Sequence, residues 1–535
     1  MKRPKWLEKA VFYEIYPQSY FDTNGDGIGD IQGIIEKLDY VKSLGCNAIW
    51  LNPWYDSPFN DAGYDIRNYY MVAPRYGTNE DAKRLFEEAE KRDMKIVLDL
   101  VVGHTSMDCE WFVESAKTER NQYSDRYIWS PFMAWRGDND LSRDEDYYIS
   151  GYSQRGAYKS NFFYNQPALN FGFAKPKFDW ELPVNHPACI ETKEEVKRIM
   201  RFWMDMGCAG FRVDMASSLI KRDPDQKEIV KLWKEMRAMF DKDYPQCVLI
   251  SEWGDPSVSV KAGFHCDFTI LDNYNVLTRN EYAWAMPGMK TFDYTVFDRD
   301  GKGDVSFFTA QYDKDYAATK GKGYICFITG NHDVRRLSKY MTPEEMKVYY
   351  AFMLTMPGVP FIYYGDEIGM KYLEGLPSKE GGDVRTGART PMQWNDWENR
   401  GFSKGRKEDL YLPVDERDDA PTVNAQYEDP DSILSKVREL VALRQAHRGL
   451  CADGEYIPLY MKKKSYPFVY ERILGKEKYI ICINPTRTEK SVKVKVKGAK
   501  SLECLSEMRC SASAEKGYVT FDAQGTAYGI YKIKE

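Results

Sequence analysis

Short apolar runs that end on polar residues alternate with longer stretches of helical period along most of the chain. The runs lie at residues 11–16, 48–51, 95–102, 210–213, 247–252, 267–271, 324–329 and 360–364. A strand buried on both faces reads as an unbroken apolar run of about this length. Between several of them, residues 30–44, 80–92, 191–206 and 343–356 repeat apolar positions at intervals of three and four, the spacing of one helix face. Strand and helix units in this order predict an α/β protein, a (β/α)8 TIM barrel closed by parallel strands.

Two regions break the rhythm. Residues 105–182 are rich in Tyr, Trp, Asn, Asp and Gly with no helical period, and such a stretch is too long for a plain loop. It is expected to form a subdomain inserted after strand three. Beyond a helix at 432–446 the period shortens to two, over 468–473, 479–483, 491–496 and 517–522, which predicts a C-terminal antiparallel β-sandwich. The expected order is barrel at 1–104, insert at 105–182, barrel again at 183–450 and an all-β domain at 451–535.

Composition bears mainly on partners. A formal net charge of −6 over 535 residues leaves no basic footprint, so neither nucleic acid nor an anionic membrane is an expected partner. A neutral small molecule fits better. The eleven cysteines are scattered, with no CxxC pair, as in a protein that keeps reduced thiols. The first twenty residues lack the apolar core of a secretory signal. The longest apolar stretch, 351–364, is interrupted by Pro357, Gly358 and Pro360 and falls short of the ~20 residues of a membrane span. The expectation is a soluble cytoplasmic protein, monomeric or weakly self-associating.

Reacting groups of a TIM barrel sit at the C-terminal ends of its strands, and four ends here carry ionisable residues. KIVLDLVVGH supplies Asp99 and His104, GFRVDMASS supplies Arg212 and Asp214, VLISEW ends on Glu252, and YICFITGNHD runs into His332 and Asp333. With a side-chain period of two, Arg212 and Asp214 share a face while Phe211 and Val213 pack behind it. A neighbouring guanidinium favours the ionised carboxylate that a nucleophile needs. Two carboxyls across one site can run a double displacement, one attacking an anomeric carbon while the other protonates the leaving oxygen.

The segment DTNGDGIGD offers oxygen at alternate positions: Asp22, Asn24, Asp26, the Ile28 carbonyl and Asp30, with Gly27 free for a sharp turn. The spacing is that of the first part of a calcium loop. A polar turn with Asp30 as a helix N-cap is the alternative.

Taken in order, DLVVGH, GFRVDMASS, ISEW and TGNHD resemble the four ordered motifs of the α-amylase family, glycoside hydrolase family thirteen. GCNAIWLNPWYDSP, QPALN and GVPFIYYGDE fit the same resemblance, while GARTPMQWNDWENRGFS and DPDSILSKVRELVALR resemble its oligo-1,6-glucosidase subgroup. The resemblance spans residues 11–448 and implies a retaining α-glucosidase. It assigns Asp214 as nucleophile, Glu252 as general acid/base and Asp333 as a third carboxylate that binds sugar hydroxyls. It implies that Asp65, His104, Arg212 and His332 bind the sugar before the cleaved bond, with Tyr64 stacked on it. Asp61 and Arg389 would jointly hold the terminal glucose and close the pocket, so that short oligosaccharides are cut from the non-reducing end, at α-1,6 or α-1,4 links. A structural Ca2+ or Mg2+ is implied at the loop from Asp22 to Asp30. A glucosyltransferase or sugar isomerase of the trehalose synthase or sucrose isomerase type would use the same intermediate. The non-catalytic relatives that lack the acids are a poor fit, since all three are present. Three departures bear on linkage: Gly103 where Asn is usual, QPALN for QPDLN, and Met215 after the nucleophile position.

Overall fold

The computed structural model describes residues 2–131, 148–269, 276–279 and 293–534. Eight parallel strands close a barrel: Phe12–Ile15, Ala48–Leu51, Lys95–Leu100, Gly210–Val213, Val248–Ser251, Cys266–Phe268, Tyr324–Ile328 and Val359–Tyr363. They are strands one to eight below. Each overlaps an expected run; the sixth begins at Cys266 and stops at Phe268, and residues 270 and 271 of its expected run lie outside the described residues. Strand one closes the circle, with Phe12 opposite both Ala48 and Phe361.

The period of two along each strand positions the site. Phe12, Ala48, Trp50, Val97, Val248, Ile250, Cys266, Phe268, Cys326, Ile328, Val359 and Phe361 belong to one apolar cluster inside the barrel, and the rings of Phe12 and Phe361 stack at 4.3 Å. Tyr13, Ile49, Leu98, Phe211 and Leu249 belong instead to the larger cluster under the helices. Two residues beyond the inward-facing Phe12, Val97 and Ile250 come Glu14, Asp99 and Glu252. The face that is apolar low in the barrel thus becomes charged at its C-terminal mouth.

The surrounding helices follow their caps and stripes. Pro187–Met206 starts on His186 with Pro187 in its first turn, ends at Gly207 with φ of 125°, and buries Val196, Ile199, Met200 and Trp203, the i, i+3, i+4, i+7 stripe. Pro343–Thr355 has a complete capping box between Thr342 and Glu345. The single helix expected at 30–44 is two, Ile31–Glu36 and Leu38–Ser43. It breaks at Lys37, whose ammonium lies 4.0 Å from the centre of the Phe21 ring and 4.3 Å from that of Trp394.

Between strand three and Pro187–Met206 the chain forms a three-stranded antiparallel sheet of Trp129–Ser130, Tyr148–Ser153 and Gly156–Lys159. The C-terminal region is one six-stranded antiparallel sheet rather than the four strands expected. Glu455–Tyr460 and Ser501–Glu515 are the additions. Ser501–Glu515 alternates only weakly, through small residues such as Cys510, Ala512 and Ala514, and register shifts at Cys504/Ser506 and Met508/Cys510 break the period. It pairs end to end with Tyr518–Lys534 across a turn in which Lys516 and Gly517 both have positive φ, 51° and 77°, the two-residue hairpin that suits strand twist. The first part of Tyr518–Lys534 also pairs with Lys490–Lys495 and the last part with Glu477–Asn484. The sheet therefore wraps, sandwich-like, over Val469, Ile480, Cys482, Val492, Val494, Val519 and Phe521. Among the described residues no helix is long and apolar enough to cross a membrane.

Candidate active site

Three carboxyls meet one guanidinium at the mouth of the barrel. Arg212 Nη1 donates to Asp99 Oδ1 at 2.8 Å and to Asp214 Oδ1 at 3.1 Å, and its Nη2 lies 2.8 Å from Glu252 Oε1. The Arg212 and Asp99 side chains are 1% and 0% exposed, whereas those of Asp214 and Glu252 are 12% and 21% exposed, so the latter two face the cavity. Burial and the facing Glu252 push the Asp214 carboxyl well above the usual carboxylate range, against the pull of Arg212. Burial likewise raises Asp99 to about 6, again opposed by Arg212. Met215, directly after Asp214, has φ of 43°, a left-handed conformation uncommon outside glycine. Its N–H donates to Glu252 Oε2 at 3.1 Å, tying the turn after strand four to the end of strand five.

A second network backs the cavity. Tyr64 Oη donates to Asp99 Oδ2 at 2.9 Å and lies 2.7 Å from His332 Nε2. The Tyr64 and His332 rings stack at 5.2 Å. His332 Nδ1 is 3.0 Å from Glu14 Oε1, and Asn52 Nδ2 reaches the same ring nitrogen at 3.0 Å. Burial lowers His332 to about 3, so the ring is neutral at pH 7. Glu14 is fully buried on strand one with its Oε2 lacking a hydrogen-bond partner, and burial raises its carboxyl well above the usual range.

The far side of the cavity has the opposite balance. Asp333 Oδ1 accepts from Arg385 Nη1 at 2.7 Å and from Arg389 Nη2 at 3.2 Å, and its Oδ2 is 3.2 Å from His332 Nε2. Burial would raise this carboxyl, but its contact with the His332 ring nitrogen and the guanidinium charges of Arg385 and Arg389 outweigh burial and hold it well below the usual range. Arg389 also donates through Nε to the His332 carbonyl at 2.8 Å, and its Nη1 is buried with no hydrogen-bond partner. Asp61 accepts from Gln166 Nε2 at 2.7 Å and lies 3.7 Å from Arg385 Nη2. Burial raises it to about 6, opposed first by Arg385.

The structure brings Asp61, Tyr64, Arg212, Asp214, Glu252, His332, Asp333 and Arg389 into these connected networks. The arginine in contact with Asp61 is Arg385 rather than Arg389, and nothing periodic in its loop marked it in the sequence. Glu14 and Asn52 were also missed, each a polar residue at the end of an apolar run. Asp65 is fully buried, its carboxylate accepting from the amides of Asn60 and Asp61 at 2.9 and 3.0 Å and from the Ser57 hydroxyl at 3.0 Å. These bonds hold the loop that carries Asp61. His104 is buried, with one ring nitrogen on the Tyr64 carbonyl and the other on Asn161. A 780 Å³ surface cavity between the insert and Pro187–Met206 contains none of the catalytic candidates, so chemistry rather than cavity size locates the site.

Away from this mouth, the Asp22 carboxylate accepts from the amides of Asn24, Gly25 and Gly27 at 3.1, 2.7 and 2.8 Å. Asn24 and Asp26 each accept the amide two residues on, at 2.9 Å. Asp30 is the N-cap of Ile31–Glu36, bonded to Gly33 N at 2.7 Å, and also takes the amide and hydroxyl of Thr23. Among the described residues no three His, Cys, Asp or Glu side chains are grouped to hold a metal ion. The loop's own set is of hard oxygen atoms, including the Asn24 amide and the Ile28 carbonyl, the chemistry that suits Ca2+ or Mg2+.

Comparison with known proteins agrees with this geometry. Residues 14–453 match the family model for the α-amylase catalytic domain. The chain is 32% identical to an oligo-1,6-glucosidase of Parageobacillus thermoglucosidasius over 529 residues, 90% of either chain. It is also 32% identical to a trehalose synthase/amylase of Mycolicibacterium smegmatis, covering 83% of this chain and 76% of that one. Among solved structures it is similar to a variant of isomaltulose synthase from Erwinia rhapontici NX5 in complex with D-glucose, with a TM-score of 0.83, 26% identity and full coverage of both chains. With its ordered motifs, closed barrel and clustered acids, the chain belongs to the α-amylase family of glycoside hydrolases.

Proposed function

We propose that the protein is a retaining, exo-acting α-glucosidase that removes glucose from the non-reducing end of short oligosaccharides linked α-1,6, α-1,4 or both. The observation that carries this reading is Asp214 and Glu252 on one guanidinium, facing a cavity whose far side is lined by Asp333, Arg385, Arg389 and Asp61. In the first step an Asp214 oxygen attacks the anomeric carbon, the glycosidic bond breaks and the Glu252 proton goes to the leaving oxygen. Water then attacks the glucosyl ester, its proton returns to Glu252 and Asp214 is released. Two inversions give net retention. Proton NMR of early turnover on isomaltose or maltose should show α-glucose first, and early β-glucose refutes the mechanism.

A second reading is supported by the likeness to a trehalose synthase/amylase and an isomaltulose synthase. In it a sugar hydroxyl, not water, takes the glucosyl group from Asp214. Products from sucrose, maltose and trehalose, with and without added acceptor sugar, separate the two: free glucose supports hydrolysis and an isomeric disaccharide supports transfer.

We further propose a structural Ca2+, or Mg2+, bound by oxygen atoms of Asp22, Asn24, Asp26, Ile28 and Asp30. Asn24, Asp26 and Asp30 each keep an oxygen lone pair free, whereas both Asp22 oxygens already accept two hydrogen bonds each, one of them from the Ser403 hydroxyl, and Asp22 would exchange one of these for the ion. The eleven free cysteines, nine of them buried, support a reducing, cytoplasmic compartment.

A further inference from the structure

Strand three leads into Gly103 and His104, and the space beside Gly103 is already filled. A Cβ built at Gly103 would lie 2.7 Å from Asn161 Nδ2. Asn161 comes from the insert, and its Nδ2 is 3.2 Å from His104 Nδ1 while its Oδ1 is 2.9 Å from Lys221 Nζ. An ammonium only donates, so Asn161 must turn its oxygen to Lys221 and its NH2 to the imidazole. His104 Nδ1 is then an acceptor. The ring proton sits on Nε2, 3.1 Å from the Tyr64 carbonyl oxygen.

The same loop holds a second pocket group. Asn161 N donates to Gln166 O at 2.9 Å, and Gln166 Nε2 donates to Asp61 at 2.7 Å. Two amides about one turn apart in the insert thus reach back to the ends of the pocket, one on His104 and one on Asp61.

We propose that Asn161 is the positioning residue of His104: oriented by Lys221, its amide fixes the imidazole in the Nε2–H form, so that the pocket is offered a hydrogen-bond donor at this point and never an acceptor. Gly103 is the condition for it, because any side chain there would displace Asn161. The inference rests on the reading that His104 faces the bound sugar. Exchange of the Tyr64 carbonyl for a sugar oxygen keeps the ring in one tautomer and requires no proton to move.

The test is 15N NMR of protein labelled in histidine, where only five histidines need assignment and a His104→Asn variant identifies the signals. Wild type should show Nε2 protonated and Nδ1 bare. Asn161→Asp puts an acceptor beside Nδ1 and should draw a proton to that nitrogen. Asn161→Ala should raise KM about tenfold with kcat changed less than about threefold, the effect of one lost orienting hydrogen bond. An Nδ1–H ring in the wild type, or ring signals that do not respond to Asn161→Asp, overturns the proposal. Responsive ring signals with an unchanged KM would uphold the positioning and sink instead the reading that His104 faces the sugar. Should Asn161→Ala fail to fold, the wild-type and Asn161→Asp spectra still decide.

Discussion

The two sides of the cavity are built from the same residue types in opposite proportions. Around Arg212 there are three carboxyls, Asp99, Asp214 and Glu252. On the other side Asp333 and Asp61 face two guanidiniums, Arg385 and Arg389. On the first side three carboxyls share one guanidinium, and Asp214 is pushed well above the usual carboxylate range; on the second, Asp333 is held well below it, while Asp61, more deeply buried, is raised to about 6. A glycosidase needs both states within one pocket, a proton to give and fixed acceptors to grip hydroxyls. The difference follows from burial together with the number of cationic partners, not from the kind of acid.

Removing the reacting acids should break the comparison most severely. Asp214→Asn and Glu252→Gln should each lower kcat by about ten-thousandfold or more, with circular dichroism unchanged. Loss of Glu252 should be partly masked on an aryl glucoside, whose leaving group needs little protonation. Near-native turnover by Asp214→Asn would falsify its assignment.

Taking one arginine from the balanced side should cost less. Arg389→Ala leaves Asp333 with one guanidinium, Arg385, beside the His332 ring and should cut kcat/KM for disaccharides about a hundredfold or more, within the roughly 2 to 5 kcal/mol for truncating a buried charge partner. Full disaccharide activity in this variant, or rapid loss of starch viscosity before glucose accumulates, would refute a closed pocket.

A sharper version uses stability against pH. Asp61 is raised to about 6 in the folded protein, above the ~3.9 of an unfolded Asp. Between those values the folded state holds a proton that the unfolded state has lost, so this group costs stability as pH rises and the cost is complete above about 6. Asp61→Asn removes the cost. Its effect on the melting temperature should become more favourable from pH 5 to pH 8, and an equal change at both values would place Asp61 outside the balance. The smallest expected effect is a control: chelation should lower the melting temperature by a few degrees through loss of a native-state ligand, with initial activity little changed. A melting curve indifferent to rigorous chelation would remove the proposed ion and leave the comparison intact.

Much of this was legible because the barrel repeats one rule. Apolar runs marked the strands, and a period of two placed Arg212 and Asp214 on one face before any contact was known. Pairings made by loops were not legible. Arg385 sits in a stretch without period, Asn161 in an insert dominated by turns, and Asp65 stands four positions from Asp61 in a motif that does not say which carboxylate turns to the backbone. Glu14 was hidden within an apolar run, since a single acid there reads as strand. In the C-terminal domain Ser501–Glu515 was lost because its alternate positions are small, Cys510, Ala512 and Ala514, and two bulges interrupt their period.

Barrel closure has a kinetic consequence. Glu14 reaches His332 only after strand one has paired with strand eight, and the loop that this contact closes takes in most of the barrel sequence. Loops of such length form late in folding, after local strand and helix units have assembled. The wall behind the nucleophile is therefore among the last parts of the molecule to be completed. A chain with its helices formed and its barrel still open would hold every catalytic residue and have no enzyme in it, so recovered activity during refolding reports on ring closure and not on secondary structure.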